Sequence, residues 1–132
     1  MKLEIVTPEG VTYSEDVEMV TLPASEGEMG IYPNHVALMT QVSAGEVTAR
    51  RQGRDEWVAV GDGFVEITGE RVAILTDMAI KAENIDEVKA EQARKRAEAR
   101  LAEKLDDEET AMVSAALAHS LAQLKVKRRT HS

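Results

Sequence analysis

The side chains best suited to proton transfer or metal binding near neutral pH are three histidines, His35, His119 and His131. They share no metal-ligand spacing, and none sits in a motif with a serine nucleophile. There is no cysteine, so thiolate chemistry, disulfides and Cys-ligated metal are excluded. The acidic run Asp106-Asp107-Glu108-Glu109 lacks the interleaved glycine and distal glutamate of a calcium loop, and reads instead as a helix cap. No glycine-rich loop ends in Lys-Ser or Lys-Thr to cradle phosphate. His119, on an alanine-rich segment, reads as a packing or surface residue, and His131 as part of a frayed tail. No catalytic constellation is expected, so function must lie in surfaces.

Those surfaces belong to two segments with different hydrophobic periods. Up to about residue 84 the pattern is that of short strands. Val17–Leu22 alternates with apolar residues on both faces, and Glu46–Arg50 alternates as a half-buried strand should. Gln52-Gly53-Arg54-Asp55 predicts a turn before Glu56–Val60, and Thr68-Gly69-Glu70-Arg71 predicts a hairpin between Val65–Ile67 and Val72–Leu75. The three prolines, Pro8, Pro23 and Pro33, fall in this half, at expected strand ends or loops. Many short strands at close spacing predict a sandwich or barrel.

From residue 85 the period becomes helical. Asn84 is the expected N-cap, with Glu87 closing a capping box. Ala90, Ala93, Ala97, Leu101 and Leu105 share a stripe, and Glu91 and Lys95 form an i,i+4 pair. The first helix should end near Lys104-Leu105, and a second, capped at the Asp106 run, should reach about Val126. A short turn makes the two an antiparallel hairpin. Val113, Leu117, Leu121 and Leu124 form one apolar stripe of the second helix, expected to face the first. Ala115, Ala118, Ala122 and Val126 form another and need a further partner.

Composition narrows the partners. Aromatic residues make up 3%, so aliphatic side chains and alanine must fill the core. Residues 1–85 carry six Lys/Arg against fifteen Asp/Glu, net −9, while residues 86–132 carry ten against nine, net +1. An acidic body excludes non-specific nucleic-acid binding, which needs cations to displace phosphate counterions. No stretch is apolar for long enough to span a bilayer, and Met1–Pro8 does not read as a signal peptide. Direct membrane insertion is not expected.

The most distinctive stretch is Gly27-Glu28-Met29-Gly30-Ile31-Tyr32-Pro33-Asn34-His35, a constrained loop by its glycines and proline. With Ser25-Glu26 before it, this stretch resembles the Gly-Glu-Leu-Gly-Ile-Leu/Tyr-Pro-Gly-His motif of the bacterial ATP synthase ε-subunit family. The resemblance continues at Gly61-Asp62-Gly63-Phe64-Val65-Glu66, through Leu75–Ile80, and at Ala122–Val126, so it covers essentially the whole chain. Asn34 replaces the usual glycine, a substitution that a left-handed backbone tolerates, and Asp62 stands between two glycines.

The resemblance implies an α+β fold, a β-sandwich of about ten strands over residues 1–84 followed by a helical hairpin over 85–132. It implies a non-catalytic rotor subunit at the foot of the central stalk of a proton-translocating ATP synthase. The complex would lie peripherally on the cytoplasmic face of the bacterial inner membrane. The sandwich would bind the γ subunit. The Gly27–His35 loop would rest on the c-ring, with Glu28 and Met29 at its tip and Gly30, Tyr32 and His35 beside them.

The hairpin would restrain ATP hydrolysis by extending toward the α/β catalytic hexamer, where Lys125, Lys127, Arg128 and Arg129 would meet acidic loops. Some family members bind ATP through Ile/Leu-Asp-x-x-Arg-Ala. Here the matching residues are Ile85-Asp86-Glu87-Val88-Lys89-Ala90. Lys89 replaces the arginine and loses its two-pronged phosphate contact, and Ile80 stands where the family has a glutamate. Asp86, Lys89 and Arg96 are therefore candidates for weak ATP binding, with no other cofactor expected. The alternative is a stand-alone ATP-sensing module.

Overall fold

The structure, a computed structural model, describes residues 1–130. Ten strands come first: β1 (Lys2–Thr7), β2 (Gly10–Asp16), β3 (Met19–Ala24), β4 (Gly27–Ile31), β5 (Leu38–Val42), β6 (Gly45–Arg51), β7 (Arg54–Val60), β8 (Gly63–Ile67), β9 (Arg71–Thr76) and β10 (Ala79–Lys81). A 3-10 turn over Ala82–Asn84 leads to helices α1 (Glu87–Leu101) and α2 (Asp107–Thr130). The fold is thus a ten-strand sandwich, nearly a barrel, followed by two helices.

The strands form one hydrogen-bonded path, β10-β7-β6-β3-β5-β8-β9-β1-β2, with β4 pairing on β3. Pairing is antiparallel except between β1 and β9, which run parallel. Alternate residues point inward: Leu3 and Ile5, Val20 and Leu22, Val65 and Ile67, and Val72 and Ile74 are essentially inaccessible and meet in one core. The β6–β7 hairpin turns at Gln52 and Gly53, with φ of 54° and 75°, the left-handed pair that a tight hairpin turn requires. At Gly63 a Cβ would run into the backbone of Leu75 and Thr76, so only glycine lets β8 approach β9 this closely.

The path does not close through backbone pairing between its ends, β2 and β10. Side chains bridge them instead. The Tyr13 hydroxyl donates to Glu56 Oε1 at 2.7 Å, Arg51 reaches both Glu56 (3.1 Å) and Glu15 (3.4 Å), and Lys81 Nζ lies 5.7 Å from the Tyr13 ring centroid. The Tyr13 hydrogen bond, followed by those from Arg51 and its charge, holds the Glu56 carboxyl below its ordinary range against a partial opposing effect of burial.

Several sequence expectations are corrected. The Gly27–His35 stretch is not a loop throughout: Gly27–Ile31 is strand β4, paired to β3 from Ala24↔Gly27 to Val20↔Ile31. The hairpin turn is Ser25-Glu26, so Glu28 and Met29 lie on a strand rather than at a tip. The N-cap of α1 is Asp86, not Asn84. Ile85 is buried with extended backbone under α2, which delays the helix by two residues. Helix α1 stops at Leu101, and α2 runs on to Thr130. Glu91 pairs with Arg94 and Arg128 rather than Lys95.

The N-cap of α2 is as expected, with Asp106 Oδ1 accepting from the Glu109 amide at 2.7 Å. The α1 stripe also stands, with Ala90 and Ala97 buried. On α2 the facing stripe is narrower than read: Leu124 is buried but Leu121 is 48% exposed.

Because a depressed carboxyl stabilises the fold above its unfolded value and stops doing so as pH falls through the folded one, Glu56 contributes to acid lability. We expect a carboxyl NMR titration of Glu56 to give a midpoint below the ordinary glutamate value of about 4.3. The Tyr13→Phe substitution should move that midpoint upward.

Candidate functional site

The first candidate set lies along β4 and the segment after it. Glu28 and Gly30 are exposed, whereas Met29 is half-buried and packs on the sandwich core. Tyr32 is 61% exposed. His35 is partly exposed and its Nδ1–H donates to the Val36 carbonyl at 2.7 Å. Asn34 takes a φ of 67°, the left-handed value anticipated for it, and its amide donates to the Gly69 carbonyl at 2.9 Å. That bond ties the segment to the β8–β9 hairpin, so Glu28, Tyr32 and His35 are presented from a fixed frame.

The second set does not converge. The Asp86 carboxylate caps α1, accepting from the Lys89 amide at 3.1 Å. Its bond is to the Lys89 backbone, so the two residues are linked as cap and first turn. Lys89 and Arg96 themselves stand exposed on α1. Among the described residues, no three of His, Cys, Asp or Glu stand together as a metal cluster.

The third set is turned toward the chain itself. Helix α2 lies across β6 and β7, with Ala122 and Val126 packed on Ala59, Ala82 and Ile85 and flanked by Trp57, Met78 and Ile80. Its last turns add polar bonds. Lys127 Nζ donates to the Ala82 carbonyl (3.3 Å), Arg128 bridges Glu87 (3.4 Å) and Glu91 (3.0 Å) of α1, and Arg129 meets Glu46 of β6 at 2.8 Å. Lys125 remains exposed. The Glu46 side chain is only 5% exposed. A carboxylate buried this far needs a cation partner. Sequence reading left Glu46 on the solvent side of a half-buried strand. The signal that α2 would cover it was the second apolar stripe of that helix.

A fourth surface escaped the sequence reading. Cross-strand pairing aligns Phe64 with Leu75, Leu75 with Val6, and Val6 with Val11 on the outer face of β8, β9, β1 and β2. Phe64, Leu75 and Val11 are 53%, 55% and 62% exposed. Met39, 67% exposed, lies two residues from the Gln41 that pairs with Phe64 and so extends the same face onto β5. A contiguous exposed apolar patch marks an interaction surface. The signal was present in Val72-Ala73-Ile74-Leu75, a strand apolar on both faces.

Fold and surfaces together define a two-part protein, a β-sandwich carrying a long-helix hairpin, that presents faces to other macromolecules. The model of the ATP synthase delta/epsilon chain β-sandwich domain matches residues 1–82, and that of the delta/epsilon long α-helix domain matches residues 83–128. The chain belongs to the ATP synthase delta/epsilon chain family, on its ε side. It is 39% identical to the ATP synthase epsilon chain of Laribacter hongkongensis, over 99% of this chain and 98% of that one.

Two solved structures share the fold. A chain of the Euglena gracilis mitochondrial ATP synthase (OSCP/F1/c-ring) has a TM-score of 0.76 at 24% identity, over 93% of this chain and 78% of that one. A chain of the Tetrahymena thermophila mitochondrial ATP synthase central stalk/c-ring has a TM-score of 0.62 at 12% identity, over 100% and 96%. Among the described residues no helix is long and apolar enough to cross a membrane.

The contact between Arg129 and buried Glu46 should be measurable as a coupling. In a double-mutant cycle with Glu46→Gln and Arg129→Gln, read by thermal loss of helical circular dichroism, we expect a favourable coupling of about 1 kcal/mol. The Arg129→Gln single change should destabilise more than Lys125→Gln.

Proposed function

We propose that this chain is a non-catalytic rotor subunit in the central stalk of a proton-translocating ATP synthase. It would couple c-ring rotation through γ to the subunits that make ATP. The observation that carries this reading is the exposed apolar row Phe64–Leu75–Val6–Val11 on a rigid sandwich, in a chain of the ATP synthase delta/epsilon family. Torque transfer needs a stiff body gripped on more than one side, and this row is the proposed γ contact. The c-ring contact is assigned to the exposed β3–β4 hairpin and the segment after it, through Glu28, Gly30, Tyr32 and His35. Met29 supports them from the core side. The complex would be peripheral to the cytoplasmic face of the bacterial inner membrane.

The hairpin is the proposed restraint on hydrolysis. Its release would free Lys125, Lys127, Arg128 and Arg129 for acidic loops of the α/β hexamer, and expose the apolar residues now facing β6 and β7. Burying a Val or Leu side chain stabilises by roughly 1.5–3 kcal/mol. Exchanging one set of contacts for another therefore leaves a small gap between the two states, which partners can bias.

ATP binding is proposed to be weak. Asp86 is occupied as a helix cap, Lys89 offers a single point charge, and Arg96 stands exposed on α1 and does not converge with them. The same facts disfavour a stand-alone ATP sensor.

Three measurements test these proposals. Phe64→Glu with Leu75→Glu should abolish co-purification with γ and the c-ring while preserving the circular dichroism of the chain; retention of both partners would remove the apolar row as the contact. Deleting residues 107–132 should leave assembly intact and raise ATP hydrolysis by the complex, and unchanged hydrolysis would reject the restraint. Calorimetric titration of the isolated chain with ATP should show no low-micromolar binding.

A further inference from the structure

The apolar row Phe64–Leu75–Val6–Val11 does not stand alone on the outer face of the sandwich. Side chains alternate along a strand, so the next outward residues are Glu66 on β8, Ala73 on β9 and Glu4 on β1. The register sets them in a second row: Met39 opposite Glu66, Glu66 opposite Ala73, and Ala73 opposite Glu4. Two carboxylates therefore stand beside the hydrocarbon, and their surroundings differ. Glu4 is paired, with Oε1 3.1 Å from Arg71 Nη2. Glu66 is exposed, and among the described residues its carboxylate has no hydrogen-bond or ion-pair partner.

The neighbours of Glu66 explain this. Across the ladder it has Met39 and Ala73, and along β8 it has Phe64, none of which can donate to it. On its other side along β8, the Thr68 hydroxyl donates to the Arg71 carbonyl at 3.3 Å. Arg71 lines the same shallow groove as Glu66, but Glu4 engages its guanidinium.

We propose that Glu66 is the charged anchor of the γ contact, receiving a Lys or Arg side chain of γ that stands beside the apolar segment covering Phe64 and Leu75. The inference rests on the assignment of the apolar row to γ and adds the chemistry that the partner's surface must carry.

Desolvation carries the argument. Opposed side chains on neighbouring strands stand about 5 Å apart, and side chains two residues apart on one strand about 7 Å. A partner that closes over Phe64 and Leu75 therefore takes water from Glu66 as well. A carboxylate covered without a cation opposes binding. Arg71 cannot supply that cation without stripping Glu4, so the partner must. The body bearing this face has six Lys/Arg against fifteen Asp/Glu over residues 1–85, which also draws a basic surface toward it at long range.

A cation at this place gives the contact a register. An apolar row alone lets a partner slide along it, because hydrocarbon meets hydrocarbon at each step. One step along the ladder carries the partner's charge from Glu66 to Ala73 and leaves the carboxylate bare. A joint that transmits torque needs such a stop. The same carboxylate rejects a partner that presents an acid or bare hydrocarbon at this point.

The test is rebinding of the full chain to its own synthase stripped of this subunit, read by biolayer interferometry. The variants are Phe64→Ala, Glu66→Gln, Glu66→Met and, as a control on the exposed 3-10 turn, Glu83→Gln. Each should keep the parental circular dichroism. Phe64→Ala should weaken rebinding, and both Glu66 variants should weaken it at least about tenfold, chiefly through faster dissociation. Glu83→Gln should change nothing. Methionine is the deciding replacement, because removing a covered carboxylate that faces no cation strengthens binding rather than weakening it. Weaker rebinding of Phe64→Ala with unchanged or tighter rebinding of either Glu66 variant would overturn the anchor and leave the apolar contact standing. Unchanged rebinding of Phe64→Ala would overturn the contact itself, and the anchor with it.

Discussion

A small apolar cluster joins the two parts of this protein. Where α2 crosses β6 and β7 the contact is made by Ala59, Ala82, Ile85, Ala122 and Val126, flanked by Trp57, Met78 and Ile80. The sandwich beneath is built from branched aliphatics drawn from nearly every strand. By area the body is held far more firmly than its appendage. Local stability follows that division. Much of the remaining grip on the helix is polar, through Lys127, Arg128 and Arg129 at its end and His119 midway. Such bonds exchange readily for water or for another partner's carboxylates, and salt weakens them.

In the seated hairpin Arg128 and Arg129 neutralise Glu87, Glu91 and Glu46 of their own chain. These cations also compensate the helix dipole. The sandwich, by contrast, presents its apolar row and the β3–β4 hairpin from a frame whose register is pinned by long-range pairing. The sandwich core and the helix contact are separate clusters.

Sequence made much of this legible where one physical rule acted alone. The Gln52-Gly53 turn, the Thr68–Arg71 hairpin and the Asp106 cap each follow from local backbone chemistry, and each stands where expected. So does the stripe Ala90, Ala93, Ala97, because helical period alone determines it.

Legibility failed where tertiary contacts outweighed local preference. Asn84 has the composition of a cap, but burial of Ile85 under α2 holds the backbone extended and hands the task to Asp86. Gly27–Ile31 is rich in glycine and reads as loop, yet pairing with β3 draws it into the sheet. Glu46 obeys strand alternation and would face water if α2 did not lie over it. The exposed row from Phe64 to Val11 was hidden for a different reason: its residues come from four strands, and only the register brings them side by side.

One topological detail bears on how the molecule is made. Strand β1 lies between β2 and β9, parallel to the latter, so residues 2–7 cannot complete their pairing until residues 71–76 have followed them from the ribosome. Its hairpin with β2 can form at once, but one flank waits for most of the chain. Contacts this distant in sequence slow folding, and they make closure of the body a late event in synthesis. All of that pairing lies within residues 2–81, so closure of the body does not wait for the helices that follow.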